Sequence, residues 1–241
     1  MMSVERLRKI IEESDNIVFF GGAGVSTESG IPDFRSAAGL YADENKSKYP
    51  PEYMLSHSFY KAETEDFYDF YKKKMIYKDA LPNDAHKALA ELERKGKLKA
   101  IITQNIDGLH QMAGSKNVLE LHGSVHRNYC MECNRSYTLD FVLASKEIPM
   151  CSCGGTVKPD VVLYEESLDS DTISQSVTYI NQADLLIVGG TSLTVYPAAG
   201  LLQYYHKDKL VLINKSKTQY DSRANLVITE NIGKTLKEAI L

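Results

Sequence analysis

Short apolar runs recur along the chain, each closed by glycine or polar residues: Ile17-Val18-Phe19-Phe20, Ala100-Ile101-Ile102-Thr103, Val161-Val162-Leu163, Leu185-Leu186-Ile187-Val188, Leu210-Val211-Leu212-Ile213 and Leu226-Val227-Ile228. Runs of this length without polar alternation read as strands buried on both faces, which is the habit of parallel sheets. Helical patterns separate most of them. Residues 3–14 place Val4, Leu7, Ile10 and Ile11 on one face with charges opposite. Asn83-Asp84 cap a helix carrying Ala88, Leu89 and Leu92 that stops at Gly96, a further helix runs from near Asp171 to Ile180, and Pro197 opens another. Six strands alternating with helices predict the α/β class, as a Rossmann-like, doubly wound parallel sheet.

Two stretches break that rhythm. From Ala37 to about Leu81 the strand signal vanishes and Tyr41, Tyr49, Tyr53, Phe59, Tyr60, Phe67, Tyr68, Phe70, Tyr71 and Tyr77 crowd a charged, helical segment. It reads as a groove wall or lid, or more plainly as a small core of its own, and composition favours the second. The other stretch holds all four cysteines, as Cys130-x-x-Cys133 and Cys151-x-Cys153 with 17 residues between the pairs. Two thiolate knuckles at that separation supply a closed tetrahedral zinc site, structural because it keeps no open position. Two short-range disulfides are the alternative, but a bridge across one residue is strained. The expected division is a large domain from residues 1–36, 82–127 and 157–241, and a small one from the helical insert 37–81 and the zinc ribbon 128–156.

Charge narrows the classes of partner. A formal net charge of −4 leaves no electrostatic footprint for nucleic acid, and no apolar run approaches the roughly 20 residues that span a bilayer, so neither nucleic acid nor membrane is expected. The first residues read as an amphipathic helix rather than a signal peptide, and cysteines paired for metal fit a reducing compartment. The expected location is cytoplasmic.

Candidate chemistry gathers at the carboxyl ends of the strands, where open α/β sheets bind ligands. After the first strand comes Gly21-Gly22-Ala23-Gly24-Val25-Ser26-Thr27, whose glycines let backbone amides approach a phosphate. Thr27 stands where the common dinucleotide fingerprint has its third glycine. After the second, Gln104, Asn105 and Asp107 can hold a carboxamide or a sugar, although such residues also cap helices for purely local reasons. Gly189-Gly190-Thr191-Ser192 repeats the glycine-and-hydroxyl design, and Asn214 closes the next strand. His122-Gly123 precedes the cysteine ribbon, at a junction of domains where a general base would sit, with five other histidines competing on composition alone.

Taken together, these segments resemble the sirtuin family of NAD-dependent protein deacylases, and the small bacterial and archaeal members in particular. The resemblance rests on G-A-G-V-S at 22–26, G-I-P-D-F-R-S at 30–36, T-Q-N-I-D-G-L-H at 103–110, L-H-G at 121–123, the paired cysteines, G-T-S-L-x-V-x-P at 190–197 and Ile213-Asn214, in family order. It implies a cleft between the two domains that takes NAD from one side and an acyl-lysine protein substrate from the other. By position it assigns Gly22, Ala23, Gly24, Thr27, Phe34 and Arg35 to a cofactor loop, with Phe34 covering the reacting ribose and the loop from about 27 to 45 mobile without NAD. It assigns Gln104, Asn105, Ile106 and Asp107 to the nicotinamide and ribose pocket, and Thr191, Ser192, Asn214 and Ile232 to the adenosine half. His122, Asn105 and Asp107 are the implied catalytic residues; Cys130, Cys133, Cys151 and Cys153 are the implied zinc ligands.

The implied reaction is deacetylation that releases nicotinamide and O-acetyl-ADP-ribose; removal of succinyl or other acyl groups and mono-ADP-ribosyl transfer stand as alternatives. Two departures from the family pattern bear on substrate. The family sets its substrate peptide, as a strand, beside the segment holding Val162, Tyr164 and Glu165, and Glu165 here replaces a glycine, which predicts a preference for basic residues flanking the target lysine. Members that remove acidic acyl groups carry Tyr-x-x-Arg where this chain has Tyr71 and Lys74, and lysine offers a point charge rather than a bidentate fork.

Overall fold

A computed structural model describes residues 2–34, 39 and 49–241. In chain order its regular elements are α1 (Met2–Glu12), β1 (Ile17–Gly21), α2 (Pro51–Met54), α3 (His57–Ala62), α4 (Thr64–Lys74), α5 (Asp84–Arg94), β2 (Leu98–Thr103), α6 (Leu109–Met112), β3 (Val118–Glu120), β4 (Gly123–Cys130), β5 (Ser136–Tyr137), α7 (Leu139–Ala144), β6 (Val157–Val161), α8 (Ser170–Gln182), β7 (Leu185–Gly189), β8 (Leu210–Ile213), β9 (Leu226–Ile228) and α9 (Ile232–Ile240). The helix expected after Pro197 is a 3₁₀ turn, Ala198–Tyr204.

Six strands form one sheet in the order β3-β2-β1-β7-β8-β9, and every pairing in it is parallel. The alternation of side chains across each strand divides the core in two. Ile17, Phe19, Leu185, Ile187, Val211 and Ile213 face α1, α5 and α9 in one buried cluster. Val18, Phe20, Leu186, Val188, Leu210 and Leu212 face α8 and the 3₁₀ turn in the other. That is the sandwich of a doubly wound sheet, and it explains why these strands carry no polar alternation.

One expected strand belongs elsewhere. Val161-Val162-Leu163 is not in the parallel sheet; its sixth strand is β3, at the edge beside β2. Val161 instead ends β6, which pairs antiparallel with β4, and Val161 and Leu163 are buried in a third cluster. An apolar run of three residues satisfies either sheet, and only long-range pairing decides between them.

That third cluster joins the two irregular stretches. Phe59, Tyr60, Phe67, Tyr68 and Tyr71 from α3 and α4 pack with Val125, Cys130, Cys151, Val157, Val161 and Leu163 from the antiparallel sheet β5-β4-β6. The aromatic rings meet edge to face, as between Tyr60 and Phe67 at 5.1 Å, while Tyr71 stacks on Phe67 at 5.7 Å. The insert is therefore a core shared with the cysteine ribbon. Strands β4 and β6 run inward past the residues expected from the cysteine spacing alone, because the ladder and not the ligand set fixes their length.

Candidate active site

The order of strands reverses between β1 and β7, and both end in glycine loops. At this switch point the two loops interlock: Gly22 N donates to Gly189 O at 3.3 Å and Gly24 N to Gly190 O at 2.8 Å. A Cβ on Gly24 would lie 2.8 Å from Gly190 Cα, so only glycine lets the loops meet. The chain then makes two 3₁₀ turns, Ala23–Val25 and Thr27–Ser29, closed by the Thr27 hydroxyl on Gly24 O (3.0 Å) and by Gly30 at φ +83°. Phe34 is half-buried against the aromatic core, and Arg35, with most of the expected flap, lies outside the described residues.

Across the crevice, the residues after β2 are held in one network. The Asn105 amide donates to Ser26 Oγ (3.0 Å), and the Ser26 hydroxyl donates to Asp107 Oδ2 (2.6 Å). The Gln104 amide reaches Thr191 Oγ1 at 3.0 Å, and Thr191 N donates to Asn214 Oδ1 at 2.9 Å. The four segments named from sequence thus converge, with Ser26 as the link. Ser26 is 1% exposed; its place in G-A-G-V-S was visible but its partner across the sheet was not. Ile232 lies beside the second loop, its side chain over Gly189, where an added Cβ would come within 2.3 Å of it. Ser192 is exposed and hydrogen-bonds Thr194 at 2.8 Å.

His122 follows β3 and joins this wall through its ring. Its Nδ1 lies 3.0 Å from Gln104 O; since a carbonyl only accepts, Nδ1 carries the proton and Nε2 is left as the basic nitrogen. Burial pushes its pKa below the ordinary 6.5, opposed in part by the bond to Gln104. The imidazole is therefore neutral and able to accept a proton at pH 7. If His122 serves as the general base expected from the sequence, it must be unprotonated to act, and kcat/KM should hold as pH falls through 6.5 and decline only below it; an acid limb above 6.5 would contradict this.

Behind the Asp107 loop, His86 of α5 and His110 of α6 are buried edge to face with centroids 4.7 Å apart. Burial lowers them to about 4 and about 3, with Asp107 opposing the shift at His86 and His86 adding to it at His110. Both are neutral in the fold and must gain protons on unfolding below pH 6.5. Their contribution is complete above pH 6.5 and is lost as pH falls toward 4 and 3, on the order of a few kcal/mol in all. Thermal melts should steepen in that window, and His110→Phe should flatten the slope.

Val162, Tyr164 and Glu165, the residues expected at a peptide edge, follow β6. Val162 N donates to His122 O at 3.0 Å. Tyr164 is exposed and bridges the α2–α3 corner, its N on Leu55 O and its O taking His57 N, both at 3.0 Å. Glu165 sits at φ +74°, a conformation suited to the glycine it replaces, and its carboxylate accepts from Ser58 N and Oγ at 2.9 and 2.7 Å. These bonds hold its pKa below the ordinary carboxylate value, so the exposed group stays charged.

At the ribbon, the Sγ atoms of Cys130, Cys133, Cys151 and Cys153 all lie within 4.8 Å of one another, with Cys130–Cys153 at 3.4 Å and Cys133–Cys151 at 3.6 Å. Four sulfurs at about 2.3 Å from one zinc stand about 3.8 Å apart. The donor set fits a closed structural zinc and is far too wide for disulfides, whose sulfurs are about 2 Å apart.

A model of the Sir2 family matches residues 22–197. This chain belongs to the Sir2 family. It is 64% identical over 239 residues to an NAD-dependent protein deacetylase of Clostridium acetobutylicum, with 98% of each chain covered. Among solved structures it resembles a Sir2 enzyme with deacetylated p53 peptide and 3'-O-acetyl ADP-ribose (TM-score 0.89, 38% identity, 98% of this chain and 97% of that one). It also resembles a Sir2 homologue–NAD complex (TM-score 0.88, 36% identity, 98% and 92%). The Sir2 motifs are thus the residues that the fold gathers at the switch point and around His122.

Proposed function

We propose that this chain is an NAD-dependent protein-lysine deacetylase in which His122 is the general base and the loops of β1, β2 and β7 hold the co-substrate. The observation that carries this reading is the His122 ring: its Nδ1 lies 3.0 Å from Gln104 O, which leaves Nε2 as the basic nitrogen of a half-buried, neutral imidazole on the wall that holds Asn105 and Asp107. NAD supplies the leaving nicotinamide and the ribose that accepts the acetyl group. The residues fit it. Asn214 Nδ2 is a buried donor without a partner among the described residues, beside the glycine backbone of the interlocked loops.

Each wall has its own task. Gly22, Ala23, Gly24 and Thr27 present backbone to the pyrophosphate, with Phe34 and Arg35 continuing the loop over the ribose. Asn105, Ile106 and Asp107 hold the nicotinamide end; Gln104 tethers the base to Thr191; Thr191, Ser192, Asn214 and Ile232 take the adenosine. His122 Nε2 takes a proton from a ribose hydroxyl, freeing its oxygen to attack the acetyl carbon. Val162, Tyr164 and Glu165 border the entry of acyl-lysine proteins. We divide the chain for this purpose into the parallel-sheet unit and the unit built on the aromatic and cysteine core. The described residues contain no helix long and apolar enough to cross a membrane, and we place the protein in the cytoplasm, where four thiols stay reduced for metal.

Acetylated, succinylated and unmodified protein incubated with labelled NAD should give nicotinamide release with acetylated substrate and label in O-acetyl-ADP-ribose. Label on protein would mark ADP-ribosyl transfer and overturn the reading. Tyr71 is fully buried against Phe67 with its hydroxyl unpartnered among the described residues; with Lys74 in place of arginine, this supports acetyl as the main acyl group and succinyl as a minor one. Because Glu165 is held ionised at the peptide edge, basic flanks should raise kcat/KM severalfold over acidic ones, and Glu165→Gln should remove the difference; equal values in the parent protein would refute it.

A further inference from the structure

We propose that His126 is a positioning residue for nicotinamide release, acting through the backbone of Asp107. The inference rests on the reading above that Asp107 holds the nicotinamide end. The Asp107 carboxylate is set by two donors, Ser26 Oγ at 2.6 Å and Leu109 N at 2.9 Å. Its peptide is set from a different direction. Val125 N donates to Ile106 O at 3.0 Å, and the His126 ring lies with Nε2 3.0 Å from Asp107 O. Successive carbonyls of the loop are thus tied to successive residues of β4.

Strand β4 is shaped to reach them. Its pairing with β6 is irregular between Ser124 and Asn128, where the strand bulges away from its partner. The bulge is buttressed by the Asn128 amide on Val125 O at 3.2 Å and by Ser124 Oγ accepting from His126 N at 3.2 Å. The opposing surface is also specific. Gly108 adopts φ +73°, and a Cβ there would lie 2.8 Å from the His126 ring, so the ring rests on the bare face of that glycine.

Hydrogen-bond chemistry fixes the ring's role. Asp107 O only accepts, so His126 Nε2 carries a proton, and the ring donates there whether Nδ1 is protonated or not. His126 is exposed and acts as a clamp, a hydrogen-bond donor in either form of the ring, unlike the acid–base role of His122. Loss of the clamp leaves one carbonyl unpaired and frees the peptide that aims the Asp107 carboxylate, and small displacements of such a group slow the step that it orients.

The test compares His126→Ala, His126→Gln and Asp107→Asn in the zinc-loaded protein, with acetyl-peptide and NAD varied separately. His126→Ala should lower kcat/KM for NAD and the rate of nicotinamide exchange about tenfold, with KM for the acetyl-peptide and zinc content unchanged. His126→Gln, whose amide can donate to the same carbonyl, should recover most of the loss, and the defect should be equal at pH 6 and pH 8. The proposal is overturned if His126→Ala matches the parent protein while Asp107→Asn is impaired, if Gln is as defective as Ala, or if peptide KM and melting temperature change in step with NAD use. Normal NAD use by Asp107→Asn would remove the nicotinamide-pocket reading itself, and the clamp with it.

Discussion

Replacing His122 with alanine is expected to lower deacetylation by about 10²- to 10⁴-fold, the usual contribution of a positioned general base. The same variant should keep exchanging free nicotinamide into NAD. The two outcomes separate because departure of nicotinamide requires no proton to leave the ribose, whereas attack by the ribose oxygen does. The variant should fold: among the described residues His122 donates one hydrogen bond, from Nδ1 to Gln104 O, and Gln104 keeps its own ties to Gly21 O and Thr191. Rapid-quench measurement of nicotinamide exchange beside acetyl-peptide turnover reads both. Parallel loss of the two activities would mean that His122 shapes the NAD pocket rather than serving as base, and intact turnover would exclude it from the chemistry.

The parts of this site that could be read from sequence are those whose chemistry is local. The glycines after β1 and β7 stand beside continuous apolar runs, so their position at strand ends follows from the pattern alone, and the cysteine pairs are defined by their spacing. What could not be read depends on pairing between distant segments. Val118–Glu120 is a half-buried strand of three residues at the sheet edge, too short to outweigh the more apolar Val161-Val162-Leu163. Ser26 lies within a visible motif, yet its role comes from Asn105 and Asp107, on the neighbouring strand's loop. His86 closes the capping box of α5, accepting from Asn83 N, but nothing in the sequence shows that α5 and α6 bury it against His110. The Glu165 side chain adds charge at the expected peptide edge, but its left-handed backbone and its hold on Ser58 at the start of α3 are not revealed by the sequence pattern.

Removing zinc is expected to unravel the small antiparallel sheet and abolish deacetylation while the parallel sheet persists. Beyond the core it shares with α3 and α4, the cysteine end of the ribbon has little else to hold it. Strand β5 is two residues long, Cys133 and Cys153 are exposed, and Met131 and Met150 beside the ligands are about half exposed. Structural zinc supplies on the order of 10 kcal/mol at neutral pH in small cysteine sites, comparable to the stability of a whole domain. The parallel sheet has two large cores that contain none of the four cysteines. The consequence for activity passes along β4, which starts beside His122, carries Val125 and His126 against the Asp107 loop, and ends at Cys130. Chelation, or Cys133→Ser, should therefore release one zinc per chain and raise hydrogen exchange through residues 123–161, with β1, β2 and β7 still protected. Deacetylation should fall with that protection and return when zinc is restored to the chelated protein. Full activity and unchanged exchange in zinc-free protein would show that the aromatic core of α3 and α4 suffices to hold β4 in place.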